Sequence, residues 1–408
     1  MMLSCHRVGA LLLLLLLTIS NAWADCPDTR RPDGPPLSQA GQHAVGIEDF
    51  MIETDAPDRS LELSVWYPTA NNEGERVVYR DALGSGPGDP DRPVLPFEFC
   101  GLAFQSAPPV IDAGSLPTVL ISHGFPGSNV LMAWLGEHLA SHGFAAIGIG
   151  HTGATHADRG ELPDVLVNKP ADILRVIDAI DDEVIALEGV AFNAGRIGLV
   201  GYSMGGYAGL VAAGAALHPG ISELPLMQGI DLTPWMSARL EPDERIAAVV
   251  GLAPWGGPEA LERVGLAGLS LWPADSIAAV SSPLLLVSGD ADLVSGYAGG
   301  ARWIFEHGRQ ARWLLTYHQA RHNVAPMPPP SVSREFLREF NHYAEPVWDI
   351  ERLNDLNRHF ILAFLQAKLM DDPEALRWLS SHDNGDPRPP GFGERDAIGF
   401  SLERRGGD

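Results

Sequence analysis

In Gly201-Tyr202-Ser203-Met204-Gly205 a hydroxyl sits between two glycines, each two positions away. The apolar run 197–200 precedes it and small residues (Gly205, Gly206, Ala208, Gly209, Ala212, Ala213) follow. Strand, sharp turn and close-packed helix are the context of a nucleophile elbow, in which the serine hydroxyl is lifted above a sheet edge. Such a turn strains the serine backbone and leaves no room for bulk at the flanking positions, hence the glycines. A serine hydroxyl needs a base to take its proton, and the base needs an anion to orient it. Downstream, an apolar strand at 283–288 runs into Gly-Asp290-Ala-Asp292, and another at 312–317 runs into His318-Gln-Ala-Arg-His322. Asp292 is favoured over Asp290, which suits a turn-forming carboxylate, because a turn beyond the strand lets it reach the last loop. His322 is favoured over His318, which abuts its strand and reads as a packed wall. Upstream, the strand 117–122 leads into His123-Gly124-Phe125-Pro126-Gly127. An H-G turn there is where an oxyanion donor belongs, so the backbone N–H groups of Phe125 and Met204 are the candidates, with His123 bracing the loop.

Strands and helices alternate around these loops. Helices are expected at 131–142, 170–187, 301–307 and 350–369, and strands at 144–149, 197–200, 246–252, 283–288 and 312–317. The alternation predicts an α/β fold, a mostly parallel sheet covered by helices on both faces, with ligands at the carboxyl ends of its strands. Two earlier strands, at 45–52 and 61–67, are joined by a turn, and Leu61-Glu62-Leu63-Ser64-Val65 alternates as a half-exposed antiparallel strand does. Residues 84–96 read as a loop. The apolar stretch 217–240 after the elbow helix reads as a small lid or cover. Trp255 and His151, each after a strand at the same edge, are candidate pocket residues. His151, His156 and Asp158 match no metal-ligand spacing, so no metal or other cofactor is expected.

The chain resembles α/β-hydrolases of the group that joins dienelactone hydrolases and platelet-activating-factor acetylhydrolases. The resemblance runs from VGIEDF and LISHGFPGS through RIGLVGYSMGGYAGL and RIAAVVGLAPWGG to PLLLVSGDADLV and HQARHNVAP, about residues 44–369. It implies the α/β-hydrolase fold and a carboxylic ester hydrolase with a Ser203-Asp292-His322 triad and no metal. Dienelactone hydrolases use a cysteine where Ser203 stands, and the Pro-rich stretch 327–348 after His322 is long, so neither lactone chemistry nor pocket shape carries over.

The remaining sequence bounds the function. A formal charge of −24, with Lys169 and Lys368 the only lysines, argues against nucleic acid and anionic membranes as partners. Residues 1–24 read as a cleaved secretory signal, with Arg7, a leucine-rich run too short to span a membrane comfortably, and Ala22-Trp23-Ala24 before the cut. The expected protein is therefore secreted or periplasmic, without stable membrane insertion. Cys26 and Cys100 remain after cleavage and have a disulfide open to them in an oxidising compartment. Residues 25–43 form a Pro-rich lead-in, 44–379 the catalytic domain and 380–408 a polar tail. The expected activity is hydrolysis of small or short-chain esters, polyesters and acetylated lipids included. The alternatives are an amidase or peptidase on the same triad, or a silent binding protein.

Overall fold

The computed structural model describes residues 26, 28–54, 56, 59–84, 91–110, 115–236, 242–380 and 388–406. The expected export signal therefore lies outside the described residues, as do most of the 55–58 turn and the end of the 217–240 stretch. One sheet organises the rest. Its strands are β1 (Ala44–Glu53), β2 (Ser60–Thr69), β3 (Arg76–Leu83), β4 (Leu95–Gln105), β5 (Ser115–Ser122), β6 (Ala145–Gly150), β7 (Ala191–Tyr202), β8 (Ile246–Leu252), β9 (Leu284–Gly289), β10 (Arg312–Tyr317) and β11 (Phe400–Arg405). They lie in the order β11-β10-β9-β8-β7-β5-β6-β2-β1-β4-β3. The block from β6 to β10 is parallel throughout. β2 joins it antiparallel, in register Val65↔Ile147.

The parallel strands are apolar on both faces because helices cover both. The helices are α1 (Ala133–Ser141), α2 (Leu162–Asp181), α3 (Met204–Ala212), α4 (Pro258–Arg263), α5 (Ala274–Ala279), α6 (Arg302–His307), α7 (Leu337–Phe340) and α8 (Ile350–Leu369). α1 and α8 close one face, packing Leu135, Leu139, Phe360 and Phe364 against Val119, Val200 and Leu285. α2 to α6 close the other, with Ile173, Tyr207, Leu261, Ile277 and Phe305. α8 begins where the Asp349 carboxylate accepts the N–H groups of Glu351 and Arg352 at 2.8 and 3.2 Å, a side-chain N-cap.

Three expectations need correction. The predicted helix 170–187 starts eight residues earlier and places Pro170 in its interior. Burial of Val165 and Leu166 on the same face outweighs the lost backbone bond. The region 84–96 is not all loop, since β4 begins at Leu95 and pairs with the unforeseen β3. In β3, Val77, Tyr79 and Leu83 point into the core between more exposed neighbours. The polar tail contains β11, which pairs antiparallel with β10 from Tyr317↔Phe400 to Arg312↔Arg405. Phe400 anchors it, with its ring 5.1 Å from Phe392 and 5.7 Å from Phe360. Of the two readings of the stretch after α3, lid or cover, its described part is a cover for the core. Ile221, Met227, Leu232 and Trp235 are buried against the α2–α6 side. Cys26 and Cys100 form a disulfide with Cα atoms 5.5 Å apart, tying the lead-in to β4.

Candidate active site

β7 ends at Tyr202, α3 starts at Met204, and Ser203 between them has φ 53° and ψ −114°. Few non-glycine residues occupy that region, which costs about 1–3 kcal/mol. Three backbone bonds hold it there. Ser203 N–H donates to Leu252 at 2.9 Å, while its carbonyl accepts from Tyr207 and Trp255, both at 3.1 Å. The flanking glycines answer to contact as well as conformation. A Cβ at Gly201 would lie 2.2 Å from the Gly205 carbonyl oxygen, and one at Gly205 would lie 2.0 Å from that of Ser122.

The loops after β9 and β10 meet at this turn. His322 Nε2 lies 3.1 Å from Ser203 Oγ, and His322 Nδ1 lies 2.9 Å from Asp292 Oδ2. The other carboxylate oxygen of Asp292 accepts the N–H groups of Val294 and Ser295 at 2.7 and 3.0 Å. Burial opposes charge on Asp292, yet His322 and those two amides hold its carboxyl below the ordinary value. Ser203 is 7% exposed and opens onto a cavity of about 280 Å³. Phe125 lines the cavity, and its N–H meets no acceptor among the described residues. Met204 N–H is the first of α3 and has no acceptor within the helix.

The alternatives are placed elsewhere. Asp290 bonds His318 Nδ1 at 2.9 Å and the Gln319 N–H at 2.6 Å, making a separate Asp–His pair. His318 is 48% exposed, so it is not the packed wall expected. The two pocket candidates are corrected too. Trp255 is not among the residues lining the cavity at Ser203; what it gives the elbow is its backbone N–H. His151 is fully buried behind the site, bonded to Ser122 Oγ and Asp172 Oδ2 at 2.8 Å each. His123 does brace its loop, with Nδ1 2.7 Å from the Gly124 carbonyl. His156 lines the cavity and bonds the Gly84 carbonyl at 2.7 Å. Asp158 accepts the Gly153 N–H. No group of metal-ligating side chains occurs among the described residues.

Three positioning residues escaped the sequence reading. Ser295 donates its hydroxyl to the Ala253 carbonyl at 2.8 Å, linking the acid loop to the end of β8 that holds Ser203. Glu345, buried, accepts the N–H groups of Arg321 and Asn323 at 2.6 and 2.8 Å and so clamps both sides of His322. The Tyr202 ring lies 5.2 Å from the His322 ring. Tyr202 sits inside the elbow motif and was readable as a neighbour; Ser295 and Glu345 carry no local pattern. The far wall comes from the Pro-rich stretch after His322, including Asn341, His342 and Tyr343.

A nucleophile elbow at the carboxyl edge of a parallel sheet, with its acid and base on the loops after the next strands, matches one architecture. The chain has the α/β-hydrolase fold. Within that superfamily the PET hydrolase-like family (PETase) matches residues 107–242, a third of the chain. That segment carries Phe125, Ser203 and Met204 and stops before Asp292 and His322. Cutinase 2 of Thermobifida cellulosilytica is 29% identical over 117 residues, covering 29% of this chain and 39% of the cutinase. Cutinase est2 of Thermobifida alba is 31% identical over 121 residues, 29% of this chain and 34% of that one. A bis(hydroxyethyl) terephthalate hydrolase of Streptomyces coelicolor is 30% identical over 122 residues, 30% and 34%. The chain thus matches between a third and two fifths of the length of these curated relatives. No helix among the described residues is long and apolar enough to cross a membrane.

Proposed function

We propose that this protein is an exported serine hydrolase of carboxylic esters that works through an acyl-enzyme. The observation that carries the reading is His322, bonded on one side to Ser203 Oγ and on the other to Asp292. Ser203 Oγ adds to the ester carbonyl carbon as His322 takes its proton. The negative oxygen is met by the Phe125 and Met204 amides, donors of the kind whose individual loss costs about 3–4 kcal/mol. The tetrahedral adduct then expels the alcohol, which receives the proton from His322. Water, deprotonated by the same imidazole, attacks the acyl carbon, and the carboxylate leaves as Ser203 recovers its proton.

The cutinase and terephthalate-ester relatives support esters as the substrate class. A cavity of about 280 Å³ favours a small acyl group or one short segment of a longer chain. The triad itself supplies nucleophile, base and orienting anion, so EDTA should leave the rate unchanged. The test is a series of p-nitrophenyl esters of increasing acyl length, with matched p-nitroanilides beside them. Turnover of the acetate and butyrate, falling for long chains and for anilides, is expected. Inert esters with a cleaved anilide would overturn the reading in favour of an amidase.

A further inference from the structure

The chain carries 52 acidic against 28 basic side chains. The cavity at Ser203 inverts that balance. Among the described residues no aspartate or glutamate lines it, and the charged side chains that do are Arg321 and Arg338. Both arginines are exposed at its rim. Arg338 makes no ion pair among the described residues. The carboxylate next to it in sequence, Glu339, is buried and held by Arg92 through two bonds of 2.7 and 3.1 Å. Arg92 also donates to His342 Nε2 at 3.2 Å. A guanidinium can only donate, so Nε2 accepts and the neutral His342 ring carries its proton on Nδ1. His342 is another residue lining the same wall.

Two guanidinium groups, with no carboxylate among the described lining residues, make a wall that recognises anions, and arginine pairs with carboxylates through two parallel bonds. On a surface that otherwise repels anions, such a patch also steers them. We infer, resting on the esterase reading above, that the preferred substrates are esters that carry a free carboxylate, such as monoesters of dicarboxylic acids. The carboxylate sits at the Arg321–Arg338 rim while the ester carbonyl faces Ser203. Hydrolysis converts the monoester and water into a dicarboxylate, an alcohol and a proton.

The experiment compares monoethyl adipate with diethyl adipate, following ethanol release by the wild type, Arg338→Gln, Arg321→Gln and Arg338→Lys. The quantity read is the monoester-to-diester ratio of kcat/KM. The ratio should fall roughly tenfold in each glutamine variant, as expected when a close charged contact is lost. Arg338→Lys, which keeps the charge, should retain most of it, and added salt should lower the wild-type ratio. Because both arginines are exposed, the variants should fold; matching circular dichroism spectra check this. A ratio unmoved by both glutamine substitutions, with the diester still hydrolysed, would overturn this inference and leave the esterase reading standing. A wild type inert on both esters would overturn the two together.

Discussion

Two serine–histidine–aspartate chains run through this molecule with nearly the same spacing. In one, Ser203, His322 and Asp292 are linked by contacts of 3.1 and 2.9 Å; in the other, Ser122, His151 and Asp172 are linked by two of 2.8 Å. Only their surroundings differ. Ser203 stands on a positive-φ turn above a cavity, near two N–H groups without helix or loop acceptors. Ser122 ends β5, is 3% exposed, and points at an imidazole that is wholly buried. Asp292 is answered by His322 and two amides. At Asp172 burial pushes the carboxyl up, against Arg59, which grips it at 2.5 and 2.7 Å, and the buried Lys169. Burial likewise drives the His151 ring well below its ordinary value, which suits a fixed neutral spacer. Triad spacing is therefore not activity. A hydroxyl also needs access to substrate, and Ser122, 3% exposed, lacks it. The second chain joins β5 and β6 to α2 behind the loop that carries Phe125.

The largest expected difference is between the two serines. Ser203→Ala should lower kcat for a p-nitrophenyl ester by about 10⁴-fold or more. Ser122→Ala should keep kcat within roughly tenfold and cost about 1–3 kcal/mol of stability, the price of an unpartnered buried imidazole nitrogen. Equal losses of kcat in two folded variants would erase the distinction.

A second contrast sets the buried Asp292–His322 pair against the exposed Asp290–His318 pair. Asp292→Asn and His322→Ala should each lower kcat by orders of magnitude, whereas Asp290→Asn and His318→Ala should change it only a few-fold. The opposite ranking would move the site to the exposed pair.

Asp172→Asn sharpens the structural role of the inner chain. It leaves the Arg59 guanidinium without its carboxylate and should cost about 3–5 kcal/mol in denaturant unfolding. A neutral change would mean that the inner chain holds nothing.

The smallest effect is one of pH. Because the native Asp292 carboxyl is held below its ordinary value, its ionisation contributes stability above about pH 4, the unfolded value, and loses it as pH falls through the native value. The stability gap between wild type and Asp292→Asn should therefore shrink as pH falls below about 4. A gap that widens on acidification would reverse the sign of the shift.

Much of this was legible because the chemistry is local in sequence. Gly201 and Gly205 announce a crowded turn, and the pairs Asp290/Asp292 and His318/His322 follow apolar runs that can only be buried strands. What escaped depends on distance. Glu345 reaches back to His322 from a Pro-rich segment without periodicity. β11 is six residues in a charged stretch, recruited because β10 would otherwise present an open edge. His151 read as a pocket residue because it follows a strand at the right edge. Its partner Asp172 lies on α2, and only the packing of that helix shows that the ring turns inward.

Labelling with a fluorophosphonate, followed by mass spectrometry of the digested protein, tests the central claim most directly. The account predicts a single phosphonylated serine at Ser203, with labelling abolished by Ser203→Ala and retained by Ser122→Ala. A label on Ser122, or on no serine of the folded wild type, would contradict it.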